Sequence, residues 1–87
     1  MFKNKTPDGH LNIAGRKIAQ LRQSMPGTVS QRALADRLQL EGIDLGKNAI
    51  QKIESGERFI TDIELKAIAK VFGISADELL SDEEAPL

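Results

Sequence analysis

Ser30-Gln31-Arg32-Ala33-Leu34-Ala35-Asp36-Arg37-Leu38, followed after a polar bend by Lys47-Asn48-Ala49-Ile50-Gln51-Lys52-Ile53-Glu54-Ser55-Gly56-Glu57-Arg58, is the stretch on which the reading of this chain turns. It encodes two short amphipathic helices in succession, each too short to persist alone in water. The first has a capping serine at Ser30 and turns Leu34, Ala35 and Leu38 inward. The second sets Ile50 and Ile53 on one side and Lys47, Asn48, Gln51 and Lys52 elsewhere, with Gly56 at the position that ends a helix. Lysine donates to guanine O6 and N7, and the amides of asparagine and glutamine match the paired donor and acceptor of adenine. These four side chains are therefore the candidate base-reading residues. Ser55 and Arg58, beyond the helix end, are candidates for phosphate. Arg32 and Arg37 are weaker ones, because a single surface arginine is more often only solvated.

Working outward, Asn12 can cap a preceding helix that runs to about Met25, with Ala14, Ile18, Leu21 and Met25 on one face and Pro26-Gly27 as its stop. Glu41 to Gly46 is a connector with two glycines. Two later helices share one start signal. Ile60-Thr61-Asp62-Ile63-Glu64-Leu65 and Ile74-Ser75-Ala76-Asp77-Glu78-Leu79 each place a hydroxyl at the cap, a glutamate three residues on, and an isoleucine and a leucine that can pack across it. The fourth helix presents Leu65, Ile68, Ala69 and Phe72; the fifth ends near Leu80 or Ser81. The pattern predicts an all-α chain of five short helices. Residues 1–11 form a flexible N-terminal arm, residues 12–81 the folded domain, and residues 82–87 an acidic C-terminal tail.

Eighty-seven residues make one small domain with a modest core. The absence of cysteine excludes disulfides and thiolate metal sites. His10, the one histidine, has no second ligand at a metal-binding spacing, so neither a metal nor a cofactor is expected. No constellation suited to catalysis is present, and no enzyme activity is expected. The net charge of −1 conceals an uneven distribution: five acids lie in the last eleven residues, leaving residues 1–76 with eight acids against all twelve bases, a net of +4. With no Trp or Tyr and three Phe, the chain lacks the stacking platform used to bind single strands. No apolar run approaches the length of a membrane span and the start does not read as a secretory signal, so the expected location is the cytoplasm.

The ordered blocks Ser30-Gln31-x-x-Leu34-Ala35-x-x-Leu38, Ile50-x-x-Ile53-Glu54-x-Gly56-x-Arg58 and Leu65-x-x-Ile68-Ala69-x-x-Phe72-Gly73-Ile74-Ser75-x-x-Glu78-Leu79 resemble the Cro/C1-type (XRE-like) helix-turn-helix domain of phage repressors and bacterial regulators. The resemblance covers roughly residues 12–80. It implies a five-helix, lambda-repressor-like bundle in which residues 47–55 read the major groove. It implies a phosphate contact and a bracing role for Gln31, and an ion pair between Arg22 and Glu54. It also implies a sequence-specific double-stranded DNA-binding regulator, a repressor, that acts as a homodimer on a palindromic operator, with dimer contacts around Phe72, Ile74 and Leu80. The chain departs from the family at one place: Leu38 to Ile50 is twelve positions, several more than usual. Either the first helix of the motif is longer or the turn is extended. This insertion, with the acidic tail, motivates an alternative function, a protein-interaction module of antitoxin or adaptor type on the same fold.

Overall fold

A computed structural model describes residues 4–81; Met1 to Lys3 and the tail 82–87 lie outside the described residues. Five helices follow in order: α1 (Gly15–Ser24), α2 (Gln31–Leu40), α3 (Lys47–Ser55), α4 (Asp62–Phe72) and α5 (Ala76–Leu80). No strand occurs among the described residues. Three of these helices start where a hydroxyl can satisfy a free backbone N–H. Ser30 accepts from Ala33, Thr61 from Glu64 and Ser75 from Glu78, and Glu64 and Glu78 return bonds to the backbone of their caps.

The α1 boundary differs from the sequence expectation. The helix begins at Gly15 rather than just after Asn12, and it ends at Ser24. Asn12 still accepts from the Gly15 N–H (2.7 Å), and its amide group also bridges to the end of a different helix and the segment beyond it.

The core forms where the apolar faces meet. Ile18, Leu34, Leu38, Ile50, Ile53, Ile68 and Leu79 are fully buried, so every helix contributes. Burying side chains of this size favours folding by about 1.5–3 kcal/mol each before chain entropy is set against it. α1 and α2 both pack on α3, α2 also packs on α4, and α4 on α5. α3 is therefore held from two sides while its remaining face stays open.

The insertion divides between the two alternatives left open by the sequence. α2 runs two residues past Leu38, and the rest is a six-residue connector, 41–46. Gly42, at φ +84°, reverses the chain; its N–H donates to Gln39 O and the Ile43 N–H to Leu38 O, both at 3.0 Å. Leu45 then enters the core and Ile43 packs against it. A Glu41–Lys70 ion pair at 2.9 Å joins the connector to α4. The extended turn is thus built into the fold rather than left as a loose excursion.

Candidate nucleic-acid interface

α3 starts at Gly46, whose extended backbone (φ −80°, ψ 173°) supplies no capping side chain. Over the next two turns Ile50 and Ile53 point into the core, while Lys47, Asn48, Gln51 and Lys52 are all exposed. None of these four side chains makes a hydrogen bond or ion pair among the described residues, so their donors and acceptors are free for an external partner. Ser55 is exposed one turn further on. Its hydroxyl lies 2.6 Å from Glu57 Oε2 and 3.2 Å from Lys52 O, and can donate to one at a time.

The support behind this face is polar. Glu54 lies between the buried isoleucine seam and the edge of the open face, with 8% of its side chain exposed, and a carboxylate so placed needs partners. Arg22 of α1 supplies two hydrogen bonds, Nε to Oε2 at 2.8 Å and Nη2 to Oε1 at 3.0 Å, in a forked geometry that fixes direction as well as distance. The same pairing holds the Arg22 guanidinium above its ordinary pKa, hydrogen bonding to Glu54 being the main cause. Arg22 Nη1 donates further to Val29 O (2.9 Å), just ahead of α2. Gln31, the first residue of α2, donates from Nε2 to Glu54 Oε1 at 2.9 Å. One carboxylate thereby joins α1, α2 and α3.

Arg58 follows Gly56, which lies at φ +83° and closes α3 through Gly56 N–H to Ile53 O (3.1 Å) and Glu57 N–H to Lys52 O (2.8 Å). Its guanidinium turns back toward α4. Nη1 and Nη2 meet the two oxygens of Glu64 at 2.9 and 3.0 Å, and Nη1 also reaches Phe59 O at 2.8 Å. Glu64 is held below the usual carboxylate range, chiefly by Arg58 and then by the Thr61 N–H, against an opposing effect of burial. Arg32 and Arg37 are exposed on α2.

Asn12 accepts from the first N–H of α1, the capping bond its sequence position suggests, and has a second function that the sequence does not signal. Its Nδ2 donates to Ile53 O (3.0 Å) and Arg58 O (2.8 Å), fastening the start of α1 to the end of α3 and to the segment beyond it. Gly15 permits this approach, since a Cβ there would sit 2.1 Å from Ile53 O. Nothing in the local pattern of residues 12–15 signals either contact. Ahead of them, residues 6–10 form a hydrogen-bonded turn in which Thr6 also bonds to Asp8, and Leu11 N–H donates to Gly56 O at 2.8 Å. His10 packs over Gly56 with Nδ1 3.8 Å from Asp8. No cluster of His, Cys, Asp and Glu that could hold a metal occurs among the described residues.

A short helix held by two neighbours, joined to the helix before it by a turn and packed against it, and open along one polar face, is the arrangement of a helix-turn-helix. The helix-turn-helix family model matches residues 18–79 of this sequence. The chain belongs to that family, in its Cro/C1-type (XRE-like) form, and is a DNA-binding helix-turn-helix domain of the kind found generally in transcription regulators. No curated protein and no solved structure matches the chain. No helix among the described residues is long and apolar enough to cross a membrane.

Proposed function

We propose that the chain is a cytoplasmic, sequence-specific transcriptional repressor that binds double-stranded DNA as a homodimer through α3. One observation carries this reading. Lys47, Asn48, Gln51 and Lys52 stand unengaged on a helix whose opposite face is fully buried and whose Glu54 is cross-linked to two other helices. A rigid helix with free donors is suited to the major groove, where base edges offer hydrogen-bond patterns. Gln31, at the start of α2, and Ser55, at the end of α3, are the proposed phosphate contacts, in positions that set register; Arg58, the third candidate, has its guanidinium paired with Glu64. A single reader helix covers few base pairs, so two copies on a palindromic operator would supply the remaining specificity. Of the residues proposed for the dimer contact, Leu80 is 38% exposed, while Phe72 and Ile74 pack partly against the core.

The test is selection of bound duplexes from a random pool by the whole chain. Recovery of a palindrome, and loss of about 1–3 kcal/mol at that site on Asn48→Ala, is the expected result. Recovery of no enriched sequence would end the reading. A second reading, a protein-interaction module of antitoxin or adaptor type, draws on Leu40, which is 87% exposed at the end of α2 beside the insertion. It requires Leu40→Ser to abolish capture of a defined protein partner while DNA binding is absent.

A further inference from the structure

The reader face is not uniform. At about 100° per residue, Gln51, Ser55 and Asn48 fall within roughly 60° of one another, with Lys47 about 40° beyond one edge and Lys52 about 40° beyond the other. Two amides and a hydroxyl thus run down the middle of the exposed arc, and one lysine lies along each side. We infer that the two lysines are rails against the phosphate walls, and that Asn48 and Gln51 alone read bases, selecting adenine in neighbouring A·T pairs. This deepens the proposed function and rests on it.

Dimensions favour this division. A helix with its side chains is about 10–12 Å across, and the major groove is about 12 Å wide. Groups at the flanks of such a helix therefore meet the walls, and groups at its centre meet the floor. Asn48 and Gln51 are three residues apart, about 4.5 Å along the helix axis. That is close to the roughly 3.4 Å separating successive base pairs, so the two amides address adjacent pairs. An amide carries both a donor and an acceptor, which matches adenine N7 and N6 bidentately. A lysine has donors only and, on a flexible stem, discriminates among acceptors less well than it neutralises a phosphate.

The surrounding ion pairs point the same way. Arg58 is neutralised by Glu64, Arg22 by Glu54 and Lys70 by Glu41. Lys47 and Lys52 have no ion-pair partner among the described residues, so they carry uncompensated positive charge at the two edges of the face.

Selection from a random duplex pool, run in parallel for the whole chain and its single variants, tests the division. Circular dichroism would establish that each variant is folded. Asn48→Ala and Gln51→Ala are each expected to erase the preference at one A·T pair. Affinity for the selected duplex should fall about 5- to 150-fold, and the salt dependence should stay as it was. Lys47→Ala and Lys52→Ala are expected to return the same selected sequence, to weaken selected and random duplexes by one common factor, and to lower the salt slope by about 0.9 each. Arg58→Ala should leave that slope almost unchanged. A lysine variant that alters the selected sequence, or an amide variant that lowers the slope with the sequence kept, overturns the inference while DNA reading stands. If the unaltered chain enriches no sequence, the proposed function itself fails and the division with it.

Discussion

Glu64 is the residue at which two local requirements meet. It closes the capping box of α4 by accepting from the Thr61 N–H (3.0 Å), and it neutralises Arg58. The first role was legible in the sequence, because Thr61 and Glu64 stand at the spacing a capping box needs. The second was not, because nothing local states where an arginine six residues upstream will turn. Its folded carboxyl titrates below the ordinary range, whereas in the unfolded chain it returns to that range. The stability this contributes is complete above the ordinary carboxylate pKa and is lost as the pH falls through the lower, folded value. Denaturant titrations between pH 7 and pH 2 should therefore show an acid-sensitive stability that is reduced in Glu64→Gln. Equal acid sensitivity in the two proteins would refute that coupling. Glu54 makes the complementary point: a carboxylate on an apolar seam must be paired, but its third bond, from Gln31, came only with the structure.

At the level of elements, the helices were readable because capping and periodicity are local. Amphipathic spacing gave five of them, and the two hydroxyl–glutamate signals marked the starts of α4 and α5. At α1 the local reading reached its limit: Asn12 bonds to a helix more than forty residues away as well as to its own. Two glycines at helix starts show the same limit. Gly15 and Gly46 look alike in sequence, yet a Cβ at Gly15 would strike Ile53 O, while one at Gly46 meets nothing within 4 Å. Gly15→Ala should push α1 away from α3 and destabilise the domain by about 1–3 kcal/mol, as overpacking does. Gly46→Ser should instead stabilise it by a few tenths of a kcal/mol, by giving α3 the cap it lacks. Thermal melts of the two variants should move in opposite directions, and a shift of both downward would contradict the distinction.

Across the whole molecule, the reader helix depends on contacts distant in sequence, and so does the end of the domain. α5 has five residues, too few to hold a helix unaided. Its last carbonyls are met by Lys17 of α1, whose Nζ donates to Glu78 O and Ser81 O, both at 2.9 Å. A cation at a helix C-terminus also suits the helix dipole. Lys17→Met keeps the aliphatic stem and removes the donors. Amide hydrogen exchange is expected to quicken in α5 and to stay unchanged in α2 and α3; uniform quickening would mean that Lys17 supports the core instead. By itself the sequence determined the helices, their caps, the apolar faces and the polar composition of α3, because these follow from interactions within a few residues. The tertiary structure decided which polar groups are spent inside the protein and which remain free, because that depends on partners between about 6 and 64 residues apart, such as Arg58 with Glu64 and Lys17 with Ser81.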